Sequence, residues 1–227
     1  MAIPFSDLYK RNYTTLDVVE GYRRWSPSYD KGSDDNFIDG LLDRLHPDLW
    51  QGMENAVDLG CGTGRVGSWL CSHGINAVTG VDICVEMLAL AASRNIYREL
   101  IDADVRKTGL PAEGFSLVFS SLTGCHLQDL QPLYDEAARL LVSGGTFVLM
   151  DYHPFFLLNG IPTHFKTEDG ETFAITNYIH LFSDHFRTGT SSGLSLAALH
   201  ELVVDETWKN YSKYINQPIS FAIAWEK

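Results

Sequence analysis

The chain has 227 residues, 45% hydrophobic and 20% charged. That size is compatible with one α/β domain burying roughly 70% of its unfolded surface. Its 17 Lys and Arg against 29 Asp and Glu give a net charge of -12. Basic residues are scattered apart from Arg23-Arg24 and Arg106-Lys107, which argues against a nucleic-acid partner, because phosphate contacts supply most non-specific affinity. Asp7, Lys10 and Arg11 stand where a signal peptide needs an apolar stretch, and no run approaches the roughly 18 residues of a membrane helix. A cytoplasmic protein with no membrane contact is the expectation.

In chain order, Asp17 to Trp25 reads as a short helix. Ser33 caps a second from about Asp34 to Trp50, with Phe37, Ile38, Leu41, Leu42, Leu45 and Leu49 at helical spacing. Ala56 to Leu59 is a buried strand leading through a glycine turn into a helix from Gly64 to about His73, which Gly74 ends. Ala77 to Val81 is the next strand, and Val85 to Arg94 a helix with Met87, Leu88, Leu90 and Ala91 inward. Phe115 to Ser121, a helix from Leu133 to Leu141, and a strand after Gly144-Gly145 continue the alternation. Strands alternating with helices predict a parallel sheet.

Beyond Asp151 the pattern changes. Between Tyr152 and Phe186 lie eight Phe or Tyr and four His residues, and Asp169-Gly170 is a hairpin signal. Two short strands and a helix from about Ser183 to Ser192 are expected, lying over the carboxyl ends of the sheet as a hydrophobic lid. These aromatics either receive an organic substrate or simply pack the lid. Leu196 to Val204 and Ile219 to Trp225 read as a final antiparallel hairpin at one sheet edge.

The most specific segment is Ala56-Val57-Asp58-Leu59-Gly60-Cys61-Gly62-Thr63-Gly64-Arg65-Val66-Gly67. Alternate glycines let the chain bend and let a ligand lie against the main chain, with the next helix's amides facing it. Asp58 can cap turn amides or accept from a cationic ligand group. Asp82, 24 residues on, ends the next strand where a doubly wound sheet holds a ribose. Gly62 to Gly67 also fits the dinucleotide pattern G-x-G-x-x-G, which keeps a nicotinamide-dependent oxidoreductase open. An acid beside phosphate counts against that alternative.

Read from Asp58, the run resembles the first motif of class I S-adenosylmethionine-dependent methyltransferases. The resemblance covers about Tyr29 to Asp151. Val81-Asp82-Ile83 with Glu86-Met87-Leu88 looks like the second motif, implying Asp82 on the ribose and Ile83 against the adenine. Ile101-Asp102-Ala103-Asp104-Val105 looks like the third, implying Asp104 on the adenine amino group and a backbone contact from Val105. It further implies cofactor contacts from Gly60, Cys61, Gly62, Gly64, Met87, Ser120 and Ser121, and from Tyr29 in a Tyr-Asp cover segment. The fold implied is a Rossmann-like doubly wound, mostly parallel seven-stranded sheet, with an antiparallel C-terminal edge hairpin and a lid after the fifth strand. It forms a single domain: cover segment 1–32, cofactor-binding core 33–153, substrate lid 154–195 and C-terminal strands 196–227.

The implied reaction transfers a methyl group to a small or medium organic acceptor, with positioning as its main device. Where the acceptor must lose a proton, His126 and His153, after the fourth and fifth strands, are the candidate bases. Asp151 could orient His153. Asn/Asp-Pro-Pro-Tyr is absent where Ser120-Ser121-Leu122-Thr123 stands, which disfavours planar nitrogen targets. Only Asp151 fits an acidic metal set, so no metal is expected. Cys61, Cys71, Cys84 and Cys125 lack C-x-x-C pairing and read as free thiols. A non-catalytic S-adenosylmethionine-binding protein also stays open, and the oligomeric state is not specified. Asp82→Ala is expected to weaken cofactor binding by about 1 to 3 kcal/mol, the cost of a lost buried hydrogen-bond partner. An unchanged dissociation constant would contradict the ribose assignment.

Overall fold

In the computed structural model residues 2–31, 41–42 and 52–227 are described. The N-terminal stretch supplies β1 (Ile3–Pro4), β2 (Thr14–Leu16) and α1 (Val18–Trp25). Asp17 begins α1 because its side chain accepts from the Glu20 amide at 3.0 Å. The helix expected from Asp34 to Trp50, with its Ser33 cap, lies outside the described residues except for Leu41 and Leu42, which are helical and fully buried. The central run is β3 (Asn55–Leu59), α2 (Arg65–Ser72), β4 (Ala77–Asp82), α3 (Val85–Ser93), β5 (Glu99–Asp102), β6 (Phe115–Ser121), α4 (Gln131–Leu140) and β7 (Leu141–Tyr152). Then come α5 (Pro154–Leu158), β8 (His164–Lys166), β9 (Thr172–Ile175), β10 (Tyr178–Ile179), α6 (Phe182–Ser191), β11 (Ser195–Val203) and β12 (Pro218–Glu226).

Seven strands form the main sheet in the order β11-β12-β7-β6-β3-β4-β5. β7, β6, β3, β4 and β5 run parallel, and at one edge β12 runs antiparallel to both β7 and the outermost strand β11. Chain direction across the sheet reverses between β3 and β6, which opens a crevice at their carboxyl ends. The two-residue period of a strand sorts the core into two layers. Ala56, Leu117, Val148, Ala222 and Ala224 face the layer that contains Val66, Trp69 and Leu70 of α2. Val57, Val118, Phe147, Phe221, Ile223 and Trp225 face the other, with Leu133, Tyr134 and Ala137 of α4.

The expected hairpin forms as β8 and β9, turned at Asp169-Gly170 with Gly170 at φ +94°. The short helix α5 and the strand β10 are additions that the sequence pattern did not signal. The larger difference is in pairing. β2 runs parallel to β9 in a three-stranded sheet, and β1 pairs antiparallel with β10. The N-terminal segment and the segment after β7 are therefore hydrogen-bonded into one cap. Trp25 of α1 reinforces it by stacking on Phe165 of β8, with centroids 5.3 Å apart and planes 10° off parallel.

Helix α6 lies on β12 because Gly189 lets it approach Trp225. A Cβ at that glycine would stand 2.6 Å from the buried indole. Alanine gains up to about 1 kcal/mol in helix propensity, but overpacking against a fixed ring costs about 1 to 3 kcal/mol. Gly189→Ala is therefore expected to lower the urea midpoint of unfolding; a raised midpoint would contradict this packing.

Candidate active site

The turn after β3 is shaped by main-chain bonds to β4. The amides of Gly60 and Cys61 both donate to the Val81 carbonyl, at 2.8 and 3.0 Å. Gly60 (φ +77°) must be glycine, since a Cβ there would fall 2.2 Å from Thr123 Oγ1. Gly62 (φ +53°) differs, for a Cβ there would meet no protein atom within 4 Å. Its open side faces a cavity. Asp82 then fixes the cradle: Oδ2 accepts from the Gly62 amide at 2.8 Å and Oδ1 from the Cys84 amide at 2.9 Å. Burial raises the pKa of Asp82, while the amides of Cys84, Gly62 and Ile83 draw it back down. Asp82 thus holds two turns in shape, so Asp82→Ala also removes structural bonds, beyond the ribose role expected from sequence.

The cavity at this crevice has a volume of about 440 Å³. Ten of the sequence-selected residues line it: Tyr29, Gly60, Gly62, Asp82, Ile83, Met87, Asp104, Val105, Ser121 and His126. Ile83 is 42% exposed at this wall, an apolar side chain left for a ligand to cover. The Ser121 hydroxyl is buried and lacks a hydrogen-bond partner. Asp104 is gripped through both oxygens by Arg106, whose own amide adds a bond at 2.9 Å. That guanidinium holds the Asp104 carboxyl below its usual range.

Asp58, Cys61, Gly64, Ser120 and His153 do not line the cavity. Asp58 shares strand parity with Ala56, so it faces α2, where Oδ2 accepts from the Tyr97 hydroxyl at 2.7 Å. Burial pushes its pKa up to about 7 against the pull of that bond. The cavity's acidic rim comes instead from Asp17, Asp82 and Asp104. Cys61 is buried, with its sulfur 3.0 Å from where a Gly80 Cβ would stand. Gly64 (φ +89°) is the N-cap of α2 and packs near Tyr97 and Arg94. Ser120 donates to the Leu59 carbonyl at 2.9 Å, binding β6 to β3. His153 caps α5: Nδ1 accepts from the Phe155 amide at 3.1 Å, and Nε2 meets Glu201 Oε1 at 2.8 Å. Asp151 orients no histidine; its oxygens accept from the amides of Cys125 and Tyr152, each at 2.7 Å.

His126 is arranged differently. Its Nδ1 lies 2.7 Å from the Thr176 carbonyl, which can only accept, so Nδ1 carries the proton. Nε2 is then a lone pair, and it receives the Tyr22 hydroxyl at 2.9 Å. Burial depresses the His126 pKa to about 4, partly offset by the Thr176 bond, and burial raises Tyr22 well above its ordinary value. The cap closes this end, since Thr176 and the cavity-lining Tyr178 belong to it and His180 Nε2 bonds the Leu127 carbonyl at 2.7 Å.

Sequence reasoning missed Tyr22, Leu122 and Arg106. Val18, Val19 and Tyr22 form an apolar stripe on a helix otherwise carrying Glu20, Arg23 and Arg24, a signal that one face seeks a partner. Leu122 sits at φ +54°, held by its amide's bond to the Met150 carbonyl at 2.9 Å. Such a left-handed non-glycine residue costs roughly 1 to 2 kcal/mol and belongs to strained sites. Asp30, next to Tyr29, accepts from Thr63 Oγ1 at 2.9 Å and pairs with Arg94, tying the cover segment to the glycine turn. Among the described residues no group of three or more His, Cys, Asp or Glu could hold a metal ion, and all four cysteines are free.

Residues 57–149 match the methyltransferase domain family. The chain is 28% identical over 130 residues to the malonyl-[acyl-carrier protein] O-methyltransferase of Enterobacter lignolyticus, covering 56% of this chain and 50% of that protein. It is 28% identical over 103 residues to phosphoethanolamine N-methyltransferase 3 of Arabidopsis thaliana, covering 44% and 21%. The chain thus spans half or less of the length of these curated relatives. The PH0226 protein of Pyrococcus horikoshii shares the fold, with a TM-score of 0.68 at 20% identity over 91% of this chain and 98% of that one.

The burial of His126 carries a titration prediction. Its folded pKa lies below the unfolded value near 6.5, so the unfolded chain binds the extra proton first, and this residue's contribution to stability is lost as pH falls from 6.5 toward 4. An NMR titration is expected to keep His126 neutral at pH 5.5; a midpoint near 6.5 would contradict the buried pair.

Proposed function

We propose that this chain, whose residues 57–149 match a methyltransferase domain and whose fold is shared with the PH0226 protein, is a class I S-adenosylmethionine-dependent methyltransferase that transfers a methyl group to a small or medium organic acceptor. The observation that carries this reading is the open side of Gly62, which lines the cavity beside the Asp82 brace and leaves the main chain bare for a ligand. The fit to the cofactor rests on an acidic rim free of phosphate-binding groups other than Arg106, and on the exposed apolar Ile83. Asp82 would hold the ribose, Ile83, Met87 and Val105 the adenine, Asp104 its amino group, and Tyr29 would cover the methionine part. Bound there, S-adenosylmethionine supplies an electrophilic methyl carbon on a sulfonium.

The chain's own contribution is placement and a path for a proton. Holding two reactants in register can supply about 7 to 11 kcal/mol of a barrier. An acceptor O–H or N–H beside Tyr22 gives its proton to Tyr22 Oη as that hydroxyl passes its own to His126 Nε2. The Thr176 carbonyl steadies the resulting imidazolium through Nδ1–H. With both ring nitrogens of His153 engaged outside the cavity, the base role is assigned to His126 alone. The matched relatives include an O- and an N-methyltransferase by name, so the acceptor atom is left as oxygen, nitrogen, carbon or sulfur. No helix among the described residues is long and apolar enough to cross a membrane, and we take the location to be cytoplasmic.

Differential scanning fluorimetry is the first test: S-adenosylhomocysteine is expected to raise the unfolding temperature and NAD to leave it unchanged, and stabilisation by NAD alone would overturn the reading. With an acceptor drawn from a metabolite extract, Tyr22→Phe and His126→Asn are expected to lower turnover by roughly 10²-fold, the lower range for a lost proton-transfer group. Their affinity for S-adenosylhomocysteine is expected to persist. Full activity in His126→Asn would exclude the base.

A further inference from the structure

A second cavity, of about 320 Å³, shares no lining residue with the first. Its walls mix aromatic rings with polar groups: Trp25 of α1, Tyr152 at the end of β7, Phe156 of α5 and Tyr214 stand beside Thr163, His164 and Lys213. The rings are mutually braced. Tyr152 stacks on Phe156 at 5.8 Å between centroids, Phe156 meets Tyr214 edge-on at 5.2 Å, and Trp25 is held flat on Phe165. Such pre-ordered rings form a slot for a flat apolar molecule with little entropy lost on binding.

Among the lining residues Lys213 is the one lysine or arginine, with Nζ 4.8 Å from the Tyr214 ring centroid, and His164, whose Nδ1 lies 2.8 Å from the Pro162 carbonyl, is the other titratable group. Arg23, Arg24, Arg94, Arg106, Arg139 and Arg187 each hold a carboxylate, but none of the ion pairs among the described residues involves Lys213. In a chain with a net charge of -12, a cation beside an aromatic cavity with no carboxylate partner among the described residues is positioned for an anion from outside. We propose that this second cavity is a binding site for a flat apolar molecule bearing a carboxylate, its ring between Trp25, Tyr152 and Phe156 and its carboxylate on Lys213. The site does not depend on the methyl-transfer reading. It does adjoin the first cavity, because Trp25 stacks on Tyr22 at 5.9 Å and meets Tyr29 at 4.8 Å, and both tyrosines line that cavity.

The probe is 2-naphthoate, titrated into the full chain by calorimetry, with neutral 2-naphthamide as its isostere. Binding of 2-naphthoate is expected to weaken about fivefold or more in Lys213→Gln, a charge-assisted contact partly screened by solvent, and 2-naphthamide is expected to bind both proteins equally. In ¹⁵N spectra 2-naphthoate is expected to shift the Trp25 indole signal, assigned with Trp25→Phe. Saturating S-adenosylhomocysteine should not displace the probe, and its own affinity should be the same in Lys213→Gln. Equal 2-naphthoate affinity in both proteins, no binding to the wild type, or displacement by S-adenosylhomocysteine would overturn the proposal. Failure of S-adenosylhomocysteine to bind at all would instead count against the methyl-transfer reading, leaving the naphthoate comparison to decide this one.

Discussion

The site depends on one carboxylate serving two loops. Asp82 ends β4 and accepts from the amides of Gly62 and Cys84 at once, so the bend after β3 and the start of α3 are held in one geometry. Without that brace the Gly62 amide would lose its acceptor, and nothing would hold the turn with its open side toward the cavity. The cost is a largely buried carboxylate whose pKa is pushed upward. Donated hydrogen bonds are what make such burial tolerable, since an unpaired buried charge costs several kcal/mol. Sheet topology supplies the other half of the constraint, because the reversal between β3 and β6 opens the crevice at which the brace works.

The cap completes what the sheet begins. Its strands come from both sides of the core sequence, so closing the cavity requires residues 14–16 and 172–175 to meet. Two histidines then pin the cap to the loop after β6, His126 through the Thr176 carbonyl and His180 through the Leu127 carbonyl. The contact that seats the cap therefore also fixes the His126 tautomer. Nδ1 is committed to the cap, and Nε2 faces Tyr22. Structural closure and the hydrogen bond from Tyr22 to Nε2 become one arrangement, which a cap displaced from this position would not provide.

Much of this was legible in the sequence. The buried apolar runs of β3, β4, β6 and β7, the helices between them and the terminal hairpin follow directly from periodicity and glycine turns, and ten of the residues singled out from the motifs line the cavity. The departures have local causes. Asp58 meets neither the turn amides nor a ligand at the cavity, because its parity with Ala56 sends it toward α2 and the Tyr97 hydroxyl. His153 is one of two candidate bases in the sequence, yet as the N-cap of α5 its Nδ1 accepts from the Phe155 amide and its Nε2 meets Glu201, outside the cavity. The pairing of β1 with β10 and of β2 with β9 was not legible, because strands of two to four residues carry too little pattern to specify a distant partner. Tyr22 was hidden for the same reason: its role exists only once α1 lies across from the loop after β6.

A crystal structure of the chain with S-adenosylhomocysteine is the decisive measurement. The ribose hydroxyls are expected within hydrogen-bond distance of the Asp82 carboxylate and the ligand in contact with Gly62, with the amide bonds of Asp82 to Gly62 and Cys84 intact. A ligand seated elsewhere, or a glycine turn rebuilt without the Asp82 brace, would contradict it.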